Sequence, residues 1–405
     1  MHTGCLRTAL FTLKEKKRSV IFIKARYLVA AAGLAAAMFM PLFFSLIRNV
    51  EPLNGAAYAA DLSDVSKEGL LDGTSQSILN TYVSENLPGR DPMIRLRNQL
   101  IYSLFDKSTN QNMIVCRDKF IFEKSFLYRY EKIEKPTDEE TVRTSFDRMR
   151  KVRDLLRKNG KELYLFITPS KPRYLENKVD PKYRALGYYR DQEGNYETLK
   201  RVLSDYDFQV FDAIEYIDGK IGENAEIVQY PLFQPTGTHW TYSIGLDTAL
   251  AFAGYLKEIG GYQFPKVHQI ILPTEEPQFP DADIYGAMNI LRKPAGHYFI
   301  SDLVLDEDIE EKNKPSVLMR GCSFMGQSLA PLITAKFFSR AVYMENTLRL
   351  GVNSEVSTFH DYDEIDLKQD LRNADFVIIE LNEAHTYDIG MGMLEYILEH
   401  PEILN

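Results

Sequence analysis

The strongest candidate for chemistry is Ser323, which lies in the segment Arg320-Gly321-Cys322-Ser323-Phe324-Met325-Gly326. This segment follows a predicted strand that ends near Met319 and leads directly into a predicted helix. A tight strand-to-helix turn exposes a serine hydroxyl, and nearby backbone N–H groups can receive an oxyanion. A serine before a helix also commonly acts as an ordinary N-cap. The pattern therefore makes Ser323 a candidate nucleophile with a structural alternative.

His239 is the second candidate, in the segment Gly237-Thr238-His239-Trp240. This segment lies after a loop and just before a predicted helix, on the same predicted sheet edge as Ser323. A histidine brought close to a serine can act as its general base, although a histidine in a first helical turn is often structural. Together the two segments favour serine-dependent acyl chemistry.

Three further residues are candidates for oxyanion or substrate binding. Lys171 follows the first predicted strand and Asn346 follows another, while Trp240 is the only tryptophan in the chain. A solvated lysine and an ordinary turn asparagine are the alternative interpretations. Glu383 and His385 share the end of the last predicted strand, but no third ligand has suitable spacing, so we expect neither a metal site nor a cofactor.

Five segments, taken in order, resemble the AlgX/AlgJ-type alginate O-acetyltransferases, an SGNH-hydrolase-like family in which the histidine precedes the serine. The similar segments cover about residues 77 to 385 and are Glu85-Asn86-Leu87-Pro88-Gly89-Arg90-Asp91, Cys116-Arg117-Asp118-Lys119-Phe120-Ile121-Phe122, Thr168-Pro169-Ser170-Lys171-Pro172-Arg173-Tyr174, Gly237-Thr238-His239-Trp240 and Gly321-Cys322-Ser323-Phe324. The resemblance implies that Ser323 is the nucleophile and His239 the base. It also implies acetyl transfer to hydroxyls of an extracellular polysaccharide, with a multi-spanning membrane acyltransferase as the partner that supplies acetyl groups.

The chain departs from the family pattern at three places. Gly237 stands where the family has the aspartate that orients the histidine, and Cys322 replaces the aspartate before the serine. The segment that resembles the family's "GWLF" hairpin has lost its glycine and tryptophan. The third triad member is therefore unknown: a Ser–His dyad would suffice, or Asp212, Glu380 or Glu383 would supply the acid.

Two other functions remain open at this stage. The same Ser–His pair could remove acetyl groups from a polysaccharide as an esterase, because the reactions differ only in whether water or sugar meets the acyl-enzyme. The missing aspartate also allows a non-catalytic polysaccharide-binding or assembly component. The strongly acidic domain argues against nucleic-acid binding, which requires Lys and Arg to contact phosphates.

The elements that must position these residues alternate between strands and helices. Strands are predicted at Lys161 to Ile167, Gln209 to Phe211, Ser316 to Met319, Ala341 to Met344 and Phe376 to Leu381, and helices at Asp138 to Lys158, Asn195 to Asp205, Thr241 to Ile259 and Gly326 to Phe338. This alternation predicts an α/β fold, an SGNH-hydrolase-like three-layer α/β/α arrangement with a mostly parallel sheet. Ligands bind at the carboxyl ends of such strands. The segment Leu272 to Phe299 is long enough to be a functional rim or lid.

The N-terminal region predicts a membrane anchor. Residues 27 to 47 contain no charge and are long enough to span a bilayer, and residues 1 to 26 carry a net charge of +6. The whole chain has a net charge of −9, so the remainder carries −15. By the positive-inside rule, the N-terminus is cytoplasmic and the domain is extracytoplasmic. Cleavage near Ala57-Tyr58-Ala59 is the alternative, and it too leaves the domain outside.

The predicted organisation follows from these boundaries. In order, we expect a cytoplasmic basic tail (1–26), a transmembrane anchor (27–47), a linker (48–76), a helical and hairpin subregion (77–135) and the catalytic domain (136–405).

Overall fold

The chain has an α/β fold whose centre is a seven-stranded mixed sheet in the computed structural model. The structure describes residues 25–36, 38–39, 52–56, 60–87, 89–292 and 296–404. Two compact units are present. The first comprises the described part of residues 1–100 together with 289–292, and the second comprises the described part of 101–288 and 293–405. The sheet and all candidate site residues belong to the second unit.

The strands follow one another along the second unit as two hairpins and one large sheet. Their bounds are β1 (Met113–Val115), β2 (Ile121–Glu123), β3 (Glu162–Thr168), β4 (Gln209–Asp212), β5 (Lys266–Thr274), β6 (Tyr298–Glu307), β7 (Ser316–Gly321), β8 (Arg340–Glu345), β9 (Leu348–Leu350), β10 (Val356–Thr358) and β11 (Phe376–Asn382). The large sheet has the order β10-β9-β8-β7-β11-β3-β4. Its five strands from β8 to β4 run parallel, and β9 and β10 are antiparallel to their neighbours.

Helices occur in both compact units, and helices of the second unit pack on both faces of the sheet. Their bounds are α1 (Lys67–Asp72), α2 (Thr74–Asn86), α3 (Arg90–Phe105), α4 (Lys124–Tyr130), α5 (Glu139–Lys158), α6 (Lys171–Tyr174), α7 (Pro181–Ala185), α8 (Asn195–Leu203), α9 (Ala213–Gly222), α10 (Tyr242–Gly260), α11 (Asp283–Ala287), α12 (Leu329–Thr334), α13 (Leu367–Asn373) and α14 (Met393–Glu399).

Two hydrophobic cores, one on each face, hold the sheet in place. Along β3, Leu163 and Leu165 face the first core with α5, α8, α13 and α14. The alternate residues Tyr164 and Phe166 face the second core, which contains α10 and Trp240. Because both faces are buried, β3 and β11 are apolar over most of their length rather than alternating with polar residues.

Two predicted elements differ from the structure. The helix predicted at Gly326 to Phe338 is a 3-10 turn, Ser323–Gln327, followed by the short helix α12. The loop predicted at Leu272 to Phe299 is shorter, because β5 and β6 pair as an antiparallel ribbon that takes residues from both ends. The remaining loop contains α11. The ribbon was missed because its strands are half-exposed and lack a continuous apolar run.

Part of the predicted membrane anchor lies outside the described residues, as do residues 1–24 of the basic tail, all of residues 40–51 and the cleavage motif at 57–59. Within the described part of the chain, helices that combine the length and apolarity needed to span a bilayer are absent. The compact unit that holds the sheet begins at Ile101. The start of a catalytic domain at residue 136 stays a prediction.

Candidate active site

Ser323 begins the turn that follows the buried strand β7. The strand ends at Gly321, Cys322 continues it with an extended backbone, and Ser323 is the first residue of the 3-10 turn. A Cβ atom at Gly321 would lie 2.5 Å from both Cβ and Oε2 of Glu380, so only glycine fits beneath the serine. The side chain of Ser323 is half-buried, which leaves its hydroxyl accessible.

His239 lies within hydrogen-bond distance of that hydroxyl. Its Nε2 atom is 2.7 Å from Ser323 Oγ, although the two residues are 84 positions apart in the sequence. The histidine precedes α10. Its imidazole packs against the ring of Phe324, and the two ring centroids are 4.9 Å apart. The structure thus brings together the two residues predicted as nucleophile and base. Their catalytic roles stay a prediction.

The acid behind the histidine is Asp283, which sequence reasoning missed. Its Oδ2 atom lies 2.7 Å from His239 Nδ1, and its Oδ1 atom accepts the backbone N–H groups of Thr238 and Ile284. When Nδ1–H donates its hydrogen bond to Asp283, Nε2 is left as an acceptor for the Ser323 hydroxyl. Ser323, His239 and Asp283 therefore form the hydrogen-bonded line of a serine-type triad.

Gly237 explains why the acid comes from another segment. A Cβ atom at this position would lie 2.4 Å from the carbonyl oxygen of Pro280 and 3.1 Å from the backbone of Asp281. The loop that carries Asp283 therefore occupies the space that an aspartate side chain at 237 would need. The available signal was the acidic Pro-Asp-Ala-Asp stretch at 280–283, inside the segment predicted to be functional.

The three acids proposed from the sequence lie elsewhere. Asp212 caps α9 and pairs with Lys200, and Glu383 pairs with Arg173 and accepts from Ser170. Glu380 is buried under the nucleophile, where it accepts the backbone N–H of Cys322 at 2.7 Å and the hydroxyl of Thr168. Burial raises the pKa of Glu380 to about 7. None of the three hydrogen-bonds to His239 among the described residues.

Lys171 and Trp240 both make buried contacts within the chain, and their role in substrate binding stays a prediction. The Lys171 ammonium is fully buried and donates to the carbonyl oxygens of Ile121, Pro235 and Gly237, at 2.6, 3.0 and 2.7 Å. Burial lowers its pKa to about 7. The Trp240 indole is also buried, and its N–H donates to the Phe324 carbonyl at 3.0 Å. Both side chains stabilise the segments that carry His239 and Ser323.

Asn346, the predicted oxyanion donor, is an exposed turn residue after β8 with a positive φ of 47°. Its backbone N–H donates to the carbonyl of Gly321. This agrees with the turn interpretation of the residue, and it fixes the end of β7 just before the nucleophile.

A metal centre finds no support in the described residues, where His, Cys, Asp and Glu side chains do not form groups of three or more suited to a metal ion. His385 packs on Phe126, and burial lowers the pKa of its imidazole to about 4. Cys116 and Cys322 are both free and buried.

Among the cavities formed by the described residues, two are lined by candidate site residues or by their neighbours. One, of about 460 Å³, is lined mainly by charged side chains that follow β3 and β11, such as Arg173 and Glu383. The other, of about 470 Å³, is lined by Phe279 and Gly326 among others. Phe279 lies beside His239, with ring centroids 6.4 Å apart, and Gly326 shares the 3-10 turn of Ser323. The second cavity therefore lies beside the triad through these two neighbours, and the triad residues themselves do not line it.

Comparisons with known proteins give no family assignment. The sequence matches no family model and no curated protein. Among solved structures, the O-acetyltransferase domain of AlgJ from Pseudomonas putida is 14% identical, with a TM-score of 0.46, over 68% of this chain and 92% of that one. AlgX from Pseudomonas aeruginosa is 14% identical, with a TM-score of 0.44, over 74% and 69%. PatB1 from Bacillus cereus is 12% identical, with a TM-score of 0.44, over 68% and 97%.

Proposed function

We propose that this chain is a serine O-acetyltransferase that moves acetyl groups onto hydroxyls of a cell-surface or secreted polysaccharide. The observation that carries the proposal is the position of His239, whose two ring nitrogens lie 2.7 Å from Ser323 Oγ and from Asp283 Oδ2. This arrangement supports nucleophilic catalysis through an acyl-serine intermediate. The five sequence segments that resemble O-acetyltransferases support the choice of acyl group and acceptor.

In the first half-reaction, Ser323 Oγ attacks the carbonyl carbon of an acetyl ester or thioester donor. Its proton passes to His239 Nε2, and backbone N–H groups at Ser323 and its neighbours donate to the oxyanion. The bond between the acetyl group and the donor breaks, and the leaving group takes the proton from His239. The product of this step is acetyl-Ser323.

In the second half-reaction, a sugar hydroxyl gives its proton to His239 and attacks acetyl-Ser323. The ester bond to the serine breaks, a new ester to the sugar forms, and the proton returns to Ser323 Oγ. Asp283 stabilises the imidazolium in both steps and keeps the ring in the required tautomer. All the groups involved belong to the second compact unit.

The proposal includes an extracytoplasmic location, with residues 27–47 as the anchor. The uncharged length of this segment and the basic residues before it support that location. A multi-spanning membrane acyltransferase would supply acetyl groups from the cytoplasmic side, as the family resemblance implies.

The test is to incubate the protein with p-nitrophenyl acetate and identify the acetylated residue by peptide mass spectrometry. We expect acetyl on the peptide that contains Ser323, none in Ser323→Ala, and transfer to an oligosaccharide when one is added. Release of acetate alone, whatever saccharide is offered, would make the protein an esterase. Donor turnover that is unchanged in Ser323→Ala would exclude both enzymes and favour a polysaccharide-binding component.

A further inference from the structure

The cavity beside the triad has an apolar wall that includes an exposed aromatic ring. Leu246 and Pro331 line it together with Phe279, which is 67% exposed. An exposed aromatic ring in a cavity wall offers apolar surface that a ligand can cover. Phe279 lies on the same loop as Asp283, so the residue that orients His239 and the exposed ring are four positions apart.

The rest of the cavity is polar but almost uncharged. Hydroxyl and amide groups come from Tyr242, Thr334 and Gln278, whose side-chain oxygen accepts the Ser301 N–H at 3.2 Å. Asp302 is the one charged residue among those that line the cavity, and its Oδ1 accepts the Leu303 N–H. Lys and Arg side chains, which would pair with an anionic ligand, do not line it among the described residues.

This combination matches one ligand chemistry. A pyranose ring has a face of C–H groups, which packs on an aromatic ring, and an edge of hydroxyls, which exchange hydrogen bonds with amides, hydroxyls and a carboxylate. A cavity of about 470 Å³ lies within the range of ordinary small-ligand sites. A uronate or other anionic sugar would place its charge near Asp302 with no cation to offset the repulsion.

We infer that the cavity beside the triad is the acceptor subsite and that it takes a neutral hexopyranose unit stacked on Phe279. This inference rests on the proposed function, because the bound sugar is an acceptor only if acetyl-Ser323 forms and transfers its acetyl group. Two residues that line the cavity connect it to the triad, since Gly326 shares the turn of Ser323 and the Phe279 ring lies beside His239.

The inference is tested by binding alone, in the full chain carrying Ser323→Ala so that no acyl transfer can occur. The probes are the neutral tetramers cellotetraose, laminaritetraose and chitotetraose, and a tetraglucuronate with the same linkage as cellotetraose. Calorimetric titration at low ionic strength gives each Kd. We expect at least one neutral tetramer to bind, and tetraglucuronate to bind at least about tenfold more weakly than cellotetraose.

Four variants in this background separate the subsite from general effects. Phe279→Ala should weaken binding of the neutral tetramer about tenfold, and Phe279→Trp should restore most of it. Asp302→Asn should reduce the difference in Kd between cellotetraose and tetraglucuronate. Tyr188→Ala is the matched control, because Tyr188 is 76% exposed but does not line the cavity, and its Kd should not change.

The inference is overturned if none of the neutral tetramers binds, if tetraglucuronate binds as tightly as cellotetraose, or if Phe279→Ala leaves the Kd unchanged. Failure of the proposed function is a separate result. A protein that never acetylates Ser323 but binds neutral tetramers through Phe279 has the subsite without the transferase. A protein that acetylates Ser323 but binds the neutral tetramers equally well without Phe279 supports the acyl-serine step of the proposed function and lacks the proposed subsite.

Discussion

Asp283 Oδ2 lies 2.7 Å from His239 Nδ1 across 44 residues of sequence, and it occupies the position of an orienting acid that no residue beside His239 supplies. The same carboxylate accepts two backbone N–H groups through Oδ1, which holds its orientation fixed. The chain therefore has a complete Ser–His–Asp line despite the glycine at 237.

Asp283→Asn should lower kcat for acetyl-ester turnover by roughly 10²- to 10⁴-fold, because an amide can donate to Nδ1 and favour the wrong imidazole tautomer. Circular dichroism and the melting temperature should change little. Asp306→Asn is the matched control, since Asp306 also lies 2.7 Å from a histidine, His268, but on the exposed β5–β6 ribbon. Equal activity of the two variants would remove Asp283 from the mechanism.

Gly237→Ala should reduce both stability and activity, because the new Cβ would approach the Pro280 carbonyl to 2.4 Å and displace the loop that holds Asp283. We expect a loss of about 1 to 3 kcal/mol in the free energy of unfolding, measured by urea titration. In the Asp283→Asn background, Gly237→Asp should fail to restore activity for the same reason.

The control for this prediction is Gly254→Ala in α10, where an added Cβ meets nothing within 4 Å. Alanine in a helix interior should leave stability unchanged or raise it by about 0.5 to 1 kcal/mol. Recovery of activity by the double variant Gly237→Asp/Asp283→Asn would show that the loop moves aside easily and that the steric argument fails.

Lys171→Met should destabilise the fold by roughly 2 kcal/mol or more, because three buried carbonyl oxygens lose their shared donor. The free energy of unfolding is again the measurement. Lys178→Met serves as control, since Lys178 pairs with the exposed Asp118 on the surface and should contribute under about 1 kcal/mol. A stable Lys171→Met protein with a raised KM for saccharide would instead restore the substrate-binding assignment of Lys171.

Glu380→Gln should change how stability depends on pH. The pKa of Glu380 is raised from 4.5 to about 7 in the folded chain, so the folded state holds this proton more tightly than the unfolded state. Its stabilising contribution is fully present below about pH 4.5 and is lost as the pH rises through about 7. The glutamine of Glu380→Gln cannot ionise, so this variant does not lose a stabilising contribution as the pH rises.

The stability of Glu380→Gln relative to wild type should therefore increase from about pH 5 to about pH 8, by an amount on the order of 2 kcal/mol. Urea titrations of both proteins at the two pH values give this difference. Burial also raises the pKa of Asp281 to about 7. Because both proteins contain Asp281, its effect cancels in the difference between their free energies of unfolding. A difference that is the same at both pH values would mean that Glu380 titrates outside this range.

The main strands and the proximity of Ser323 to His239 could be predicted from the sequence for a physical reason. A parallel sheet brings the carboxyl ends of its strands to one edge, so residues just after β7 and in a loop facing that edge must come close. The apolar runs at β3, β7 and β11 are long enough to identify without tertiary information.

Asp283 could not be ranked in the same way, because it lies on an irregular loop whose path depends on packing against Gly237. Its neighbour Asp281 has the same side chain two residues away, but it is buried and does not contact His239 among the described residues. The sequence also does not reveal that the polar tips of Lys171 and Trp240 reach backbone carbonyl oxygens inside the core, because burial depends on tertiary packing.

The three members of the triad come from segments at positions 239, 283 and 323, and each is held by a different part of the chain. The triad is complete only when all three segments have reached their native positions, which requires the loops between them to close, whereas the hydrogen bonds of a helix are local. During refolding from urea, helix content should therefore return before the capacity to acetylate Ser323. Active-site titration would thus report the fraction of molecules in which the loop around Asp283 has reached its final position, a quantity that helix content alone overestimates.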